Sequence, residues 1–156
     1  MEVIEIYVDT REKEDTFLFK SYGDVRVIHE KVDVGDYTIK GKEHIVTIDR
    51  KRSPAELSMN LGSDRARFNR ELERMQGIEF CYFICTFPYS RLEEFPVNSG
   101  IPKYKWKYLK MSGAYIRKSI KDIEEKYPNI KFIFCNSQED GENIAYQILK
   151  EYSGAP

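Results

Sequence analysis

Six short runs rich in β-branched and aromatic residues lie near positions 3–8, 25–30, 37–40, 44–50, 80–86 and 130–135, and their lengths predict strands. Segments between and after them carry apolar residues at three- and four-residue spacing, as in Ser119 to Tyr127 and Ser137 to Tyr152, and predict helices. Pro54 suits the first turn of a helix capped by Ser53, and Ser63 or Asp64 can cap a second helix running to Gln76. Gly41-Lys42 separates Tyr37-Thr38-Ile39 from Ile45-Val46-Thr47-Ile48 and reads as a hairpin turn, which sets those two strands antiparallel and adjacent. The later strands, alternating with helices, extend the sheet in parallel. The pattern predicts an α/β fold with a central mixed β-sheet flanked by helices.

A chain of 156 residues is expected to form one domain, here 1–156, and shows neither linker nor repeat. No apolar stretch is long enough to span a membrane, and the N-terminus carries acids in place of a signal segment, so an intracellular, cytoplasmic protein is expected. The three cysteines sit in apolar surroundings, with Cys81 and Cys85 on one strand face, and read as reduced core thiols. The net charge of −1 rules out any argument for nucleic-acid binding from composition alone, so such a partner needs a local patch.

The chemistry concentrates in Gly35-Asp36 and Asp49-Arg50-Lys51, on the two sides of the predicted hairpin. Positions i and i+2 of a strand share a face, so Asp49 and Lys51 project together while Ile48 and Arg50 point the other way. If the two strands pair, Asp36 joins them. Paired carboxylates beside a lysine suit phosphodiester hydrolysis, because Mg²⁺ or Mn²⁺ prefers oxygen ligands and combines a few carboxylates with water and substrate phosphates. Lys51 can act as a charge donor to the phosphate or, with a depressed pKa, as a proton acceptor. A competing reading of Asp49 and Lys51 is an exposed ion pair on an edge strand. The first strand runs into Asp9-Thr10-Arg11-Glu12, which delivers Asp9 either as a third metal ligand or as the N-cap of a short helix.

Val8-Asp9-Thr10-Arg11-Glu12, Val34-Gly35-Asp36-Tyr37 and Ile48-Asp49-Arg50-Lys51 together resemble the ERCC4-type (XPF/Mus81/Hef) nuclease domain, a branch of the PD-(D/E)XK nucleases. Ala66 to Arg74 resembles the helix that follows the active strand in that family, and the likeness covers nearly the whole chain. The resemblance implies a restriction-endonuclease-like fold and a metal-dependent DNA endonuclease acting on branched, flap or junction structures. It implies Asp9, Asp36 and Asp49 as metal ligands, and Lys51, Arg11 and Glu12 as further catalytic residues. Arg11 either neutralises a phosphate or pairs with a local acid, and Glu12 either binds metal through water or complements a helix dipole. Two departures stand out: Asp49 occupies the usual Glu position, and Ala55 stands where the family has an acid, with Glu56 one residue later. The chain also resembles compact stand-alone members without helix-hairpin-helix motifs.

For nucleic-acid contact the candidates are Arg50, Arg67 and the basic, aromatic segment containing Lys103, Lys105, Trp106, Lys107 and Lys110. That segment can equally form a solvated amphipathic helix whose aromatics pack on the sheet. Arg65, Arg67, Arg70 and Arg74 form a second basic set, much of it explained by intrahelical pairing with Glu71 and Glu73. The apolar stripe Ile144, Ile148, Leu149, Tyr152 is either core or a homodimer surface. Two other functions share these features: a catalytically silent module that binds DNA or a partner nuclease subunit, and a sequence-specific restriction-like enzyme.

Overall fold

The computed structural model describes residues 2–11 and 16–154. All six expected strands form one sheet, in the order β2-β1-β3-β4-β5-β6. They are β1 (Ile4–Val8), β2 (Val25–His29), β3 (Tyr37–Ile39), β4 (Val46–Lys51), β5 (Phe80–Cys85) and β6 (Ile130–Phe134). The first pair is parallel, β3 is antiparallel to both β1 and β4, and β4, β5 and β6 are parallel. The predicted hairpin is therefore present, and β4 lies inside the sheet with every residue buried.

Among the described residues, five α-helices flank the sheet: α1 (Pro54–Leu61), α2 (Arg65–Arg74), α3 (Ser90–Glu93), α4 (Gly113–Lys126) and α5 (Gln138–Ser153). Ser53 caps α1 as expected, accepting a hydrogen bond from the Glu56 N–H. Asp64 occupies the N-cap of α2 without a side-chain bond. The fourth helix begins earlier than the expected Ser119. Ser112 caps it by accepting from the Tyr115 N–H, and Gly113 lets its first turn lie against the Leu92 carbonyl, where a Cβ would stand only 2.1 Å away. Ser137 caps α5 in the same manner, and Gly154 closes it with a φ of 77°.

The two sheet faces carry separate cores. Cys81, Phe83 and Cys85 pack beneath α1, α2 and α4, whereas Ile6, Val8, Tyr37, Ile48 and Ile84 pack beneath α5 with Phe17 and Phe19. Leu149 is fully buried and Ile144, Ile148 and Tyr152 pack on the second core, so the stripe on α5 is spent on the sheet. Cys81, Cys85 and Cys135 are free and buried. Among the described residues no helix is long and apolar enough to cross a membrane.

Candidate active site

Strand register assembles the site. Val8 lies opposite Tyr37, and Tyr37 lies opposite Ile48, across three adjacent strands. All three side chains enter the same core. One residue further along each strand are Asp9, Asp36 and Asp49, which the pleat turns to the other face, toward α2. The backbone bonds continue through this row: the Asp9 N–H donates to the Asp36 carbonyl at 2.8 Å, and the Asp36 N–H to the Ile48 carbonyl at 2.7 Å.

Each acid is held differently. One Asp9 oxygen accepts from the Val32 N–H at 3.1 Å and the other from Arg11 at 3.0 Å, so its carboxylate braces the segment that follows β2. Asp36 accepts from the backbone N–H of Arg50 at 2.8 Å, which ties it to the active strand. Gly35 makes that placement possible: its φ is +87°, and a Cβ there would stand 2.2 Å from the Thr47 hydroxyl. Asp49 pairs with Lys51 at 3.2 Å, both side chains being less than a tenth exposed. The pair is thus buried on an interior strand, not exposed on an edge.

Lys51 reaches over the rings of Phe68 and Phe83, at 5.4 Å and 5.6 Å from their centroids. Burial alone would lower its pKa, but the charges of Asp49, Glu71 and Glu56 outweigh it and raise the pKa above the ordinary lysine value. Of its two possible roles the arrangement favours the permanent cation. Burial, followed by the charge of Asp49 and a hydrogen bond to it, pushes the Glu71 carboxyl up to about 8, while Lys51 and Arg74 pull it down. Burial and the facing Asp49 charge thus favour the protonated form of Glu71, which can donate to Asp49. In the sequence Glu71 reads only as an acid interrupting a basic helix. The signal that could have found it is the spacing of Phe68, Leu72 and Met75, which sets the rotation of α2 on the sheet.

These groups open on a groove of about 1800 Å³, lined by Asp9, Asp36, Asp49, Lys51, Glu71, Arg11, Arg52, Glu56, Arg67, Arg70 and Arg74, among others. Glu56, one residue past the family's acidic position, binds Arg52 through the Arg52 N–H at 3.0 Å and an ion pair at 3.6 Å. Arg50, expected at nucleic acid, has its side chain on the opposite face. It is 2% exposed, donates to Gln138 at 2.9 Å and lies over Phe17, so strand alternation turns it into the α5 core. Lys103, Lys105, Lys107 and Lys110 are exposed but outside the groove lining. They sit on and after a short 3-10 helix, Lys103–Tyr108, not an amphipathic α-helix. Trp106 anchors that turn by donating its indole N–H to the Ile101 carbonyl at 2.9 Å. Glu12 lies outside the described residues. Among the described residues, no three His, Cys, Asp or Glu side chains are grouped so as to hold a metal ion.

No protein-family model matches this chain, and no curated protein does. Solved structures do: XPF from Aeropyrum pernix superposes with a TM-score of 0.70 at 16% identity, over 96% of this chain and 65% of that one. The chain shares the fold of the part of XPF that it matches. A second structure, XPF from Aeropyrum pernix in complex with DNA, gives a TM-score of 0.66 at 18% identity, over 96% of this chain and 64% of that one. The chain thus spans slightly less than two thirds of each XPF chain. The restriction-endonuclease-like sheet expected from the motifs is the XPF-like sheet observed.

Proposed function

We propose that this protein is a divalent-metal-dependent endonuclease that hydrolyses phosphodiester bonds in DNA, with a preference for branched, flap or junction structures. The observation that carries this reading is the row Asp9, Asp36, Asp49 in register across three strands, beside buried Lys51, at the floor of an open groove. The likeness to XPF, including a structure in complex with DNA, supports it.

A hard cation, Mg²⁺ or Mn²⁺, suits this all-oxygen donor set. Two carboxylates with waters and phosphate oxygens satisfy such an ion, so Asp36 and Asp49 would hold it with Asp9 at the flank. When bound, the ion supplies Lewis acidity at the scissile phosphate and acidifies a coordinated water.

The chain's own groups do the rest. Lys51, fixed as a cation by Asp49 and two rings, orients the attacking water or donates to a phosphate oxygen as negative charge grows there. Arg11, 64% exposed and tethered to Asp9, presents its charge at the mouth of the groove. The water oxygen bonds to phosphorus as its proton leaves to solvent, and the bond to the departing sugar oxygen breaks as that oxygen takes a proton from solvent to become a hydroxyl. Lysines of the 103–110 segment extend the contact with DNA outside the groove. Metal-dependent cleavage of labelled DNA, abolished by EDTA, tests the reading.

The alternative of a catalytically silent module, binding DNA or a paired nuclease subunit, has one observation in its favour: no three potential ligands converge among the described residues. Binding without cleavage under every metal would support it.

A further inference from the structure

The polar face of α2 has a composition that sequence spacing alone misjudges. Phe68, Leu72 and Met75 are buried and fix the helix rotation, with the Phe68 ring 5.7 Å from that of Phe83. Arg67, Arg70 and Arg74 then share the outward face, at spacings of three and four residues. All three are exposed and line the groove that contains Asp36 and Asp49.

The acids expected to neutralise them are engaged elsewhere. Glu71 turns down to Asp49, and Glu73 accepts a hydrogen bond from the Tyr127 hydroxyl. Arg74 is near enough to Glu71 to lower its pKa but makes no ion pair with it. Among the described residues, none of the three arginines forms an ion pair. Arg65, the fourth arginine of the helix, points away to Asn69 and Tyr115. Elsewhere in the lining the charges are mixed: it includes both Lys31 and Asp33, and Arg11 is tied to Asp9.

We propose that Arg67, Arg70 and Arg74 form a one-sided rail that grips consecutive phosphates of a single DNA strand and lays it across the carboxylate floor. The identity of the polymer as DNA rests on the nuclease reading above. Arg67 to Arg74 covers seven residues, about 10 Å of helix, and three consecutive phosphates of one duplex strand cover two steps of about 3.4 Å along the axis, a difference that long arginine side chains bridge. A rail on one wall holds one strand and leaves the other free to diverge, which suits substrates with a junction.

The test is binding of a labelled single strand in EDTA, where cleavage does not intrude, followed by anisotropy between about 50 and 200 mM salt. Arg67→Gln/Arg70→Gln/Arg74→Gln is compared with wild type and with the charge-matched Lys20→Gln/Lys40→Gln/Lys131→Gln, whose positions are exposed and outside the groove lining. Glutamine keeps good helix propensity, and thermal melting checks the fold. With about 0.7 counterions released per phosphate contact, the salt slope should flatten by about 2 in the arginine variant, so that wild type loses about twentyfold more affinity than the variant over that range. If the triple variant fails to fold, Arg70→Gln alone should flatten the slope by about 0.7. An unchanged slope, an equal loss in the lysine variant, or no binding by wild type overturns the rail. Failure of the nuclease reading shows separately, as wild type that binds but does not cut with any metal.

Discussion

The Asp36 carboxylate accepts a hydrogen bond from the backbone N–H of Arg50 at 2.8 Å, so the loop before β3 is fastened to β4 between the two ends of the Asp49-Lys51 pair. An amide oxygen can accept the same bond. Asp36→Asn should therefore keep the melting temperature while cleavage falls by about 10²–10³-fold or more, the scale for losing one preorganised electrostatic group. Melting and cleavage rates measured on the same preparation check it, and an active Asp36→Asn would remove Asp36 from the proposed ligand set.

Lys51 is the buried partner of Asp49. Removing one member of such a pair leaves an uncompensated charge, so Lys51→Met should cost about 3–5 kcal/mol in urea unfolding. The double variant Asp49→Asn/Lys51→Met should recover part of that loss, because no lone charge remains. Lys51→Met that still folds should bind DNA without cutting it.

At Gly35 the backbone φ is +87°, and a Cβ would meet the Thr47 hydroxyl at 2.2 Å and the Ile48 carbonyl at 3.0 Å. Gly35→Ala should cost roughly 1–3 kcal/mol in stability. Its cleavage rate should fall further than its stability at assay temperature explains, because Asp36 is displaced. Gly41→Ala, at a φ of +81° but in open space, provides the comparison for strain without a clash.

Asp24 anchors α5 to the start of β2 by accepting from the Tyr146 hydroxyl at 2.9 and 2.7 Å and pairing with Lys150 at 3.3 Å. The Tyr146 hydrogen bond, with Lys150, lowers its pKa below the ordinary 3.8 against a smaller opposing effect of burial. A folded pKa below the unfolded one means the stabilisation is present above about pH 4 and is lost as pH falls through the folded value. Asp24→Asn should therefore melt lower than wild type at pH 7, and the two curves should converge below about pH 4. A constant gap down to pH 2 would show that charge is not the cause.

The strands and the row of acids were legible because period-two alternation and a short hairpin connection through Gly41-Lys42 set the register, and register places Asp36 beside Asp49. The roles of individual arginines were not. Arg50 reads as available in a motif of charged residues, yet alternation sends it against Phe17 and Gln138, and only the position of α5 reveals that this face is covered. Glu71 and Glu73 looked like helical partners for arginine, but Asp49 and Tyr127 come from distant parts of the chain and claim them. Local spacing describes which groups share a face and says nothing of the neighbours that compete for them. The 103–110 segment was ambiguous for the same reason, since the Trp106 bond to Ile101 forms a tight turn that no helical period announces.

The most direct measurement is cleavage of labelled duplex, single-stranded, flap and branched DNA with Mg²⁺, Mn²⁺ or EDTA, run beside Asp49→Asn purified identically. Metal-dependent cutting that is fastest on flap or branched DNA, absent in EDTA and absent in the variant is the expected result. Equal cutting by wild type and Asp49→Asn, or binding without cutting under both metals, would contradict the assignment of Asp49 to a nuclease centre.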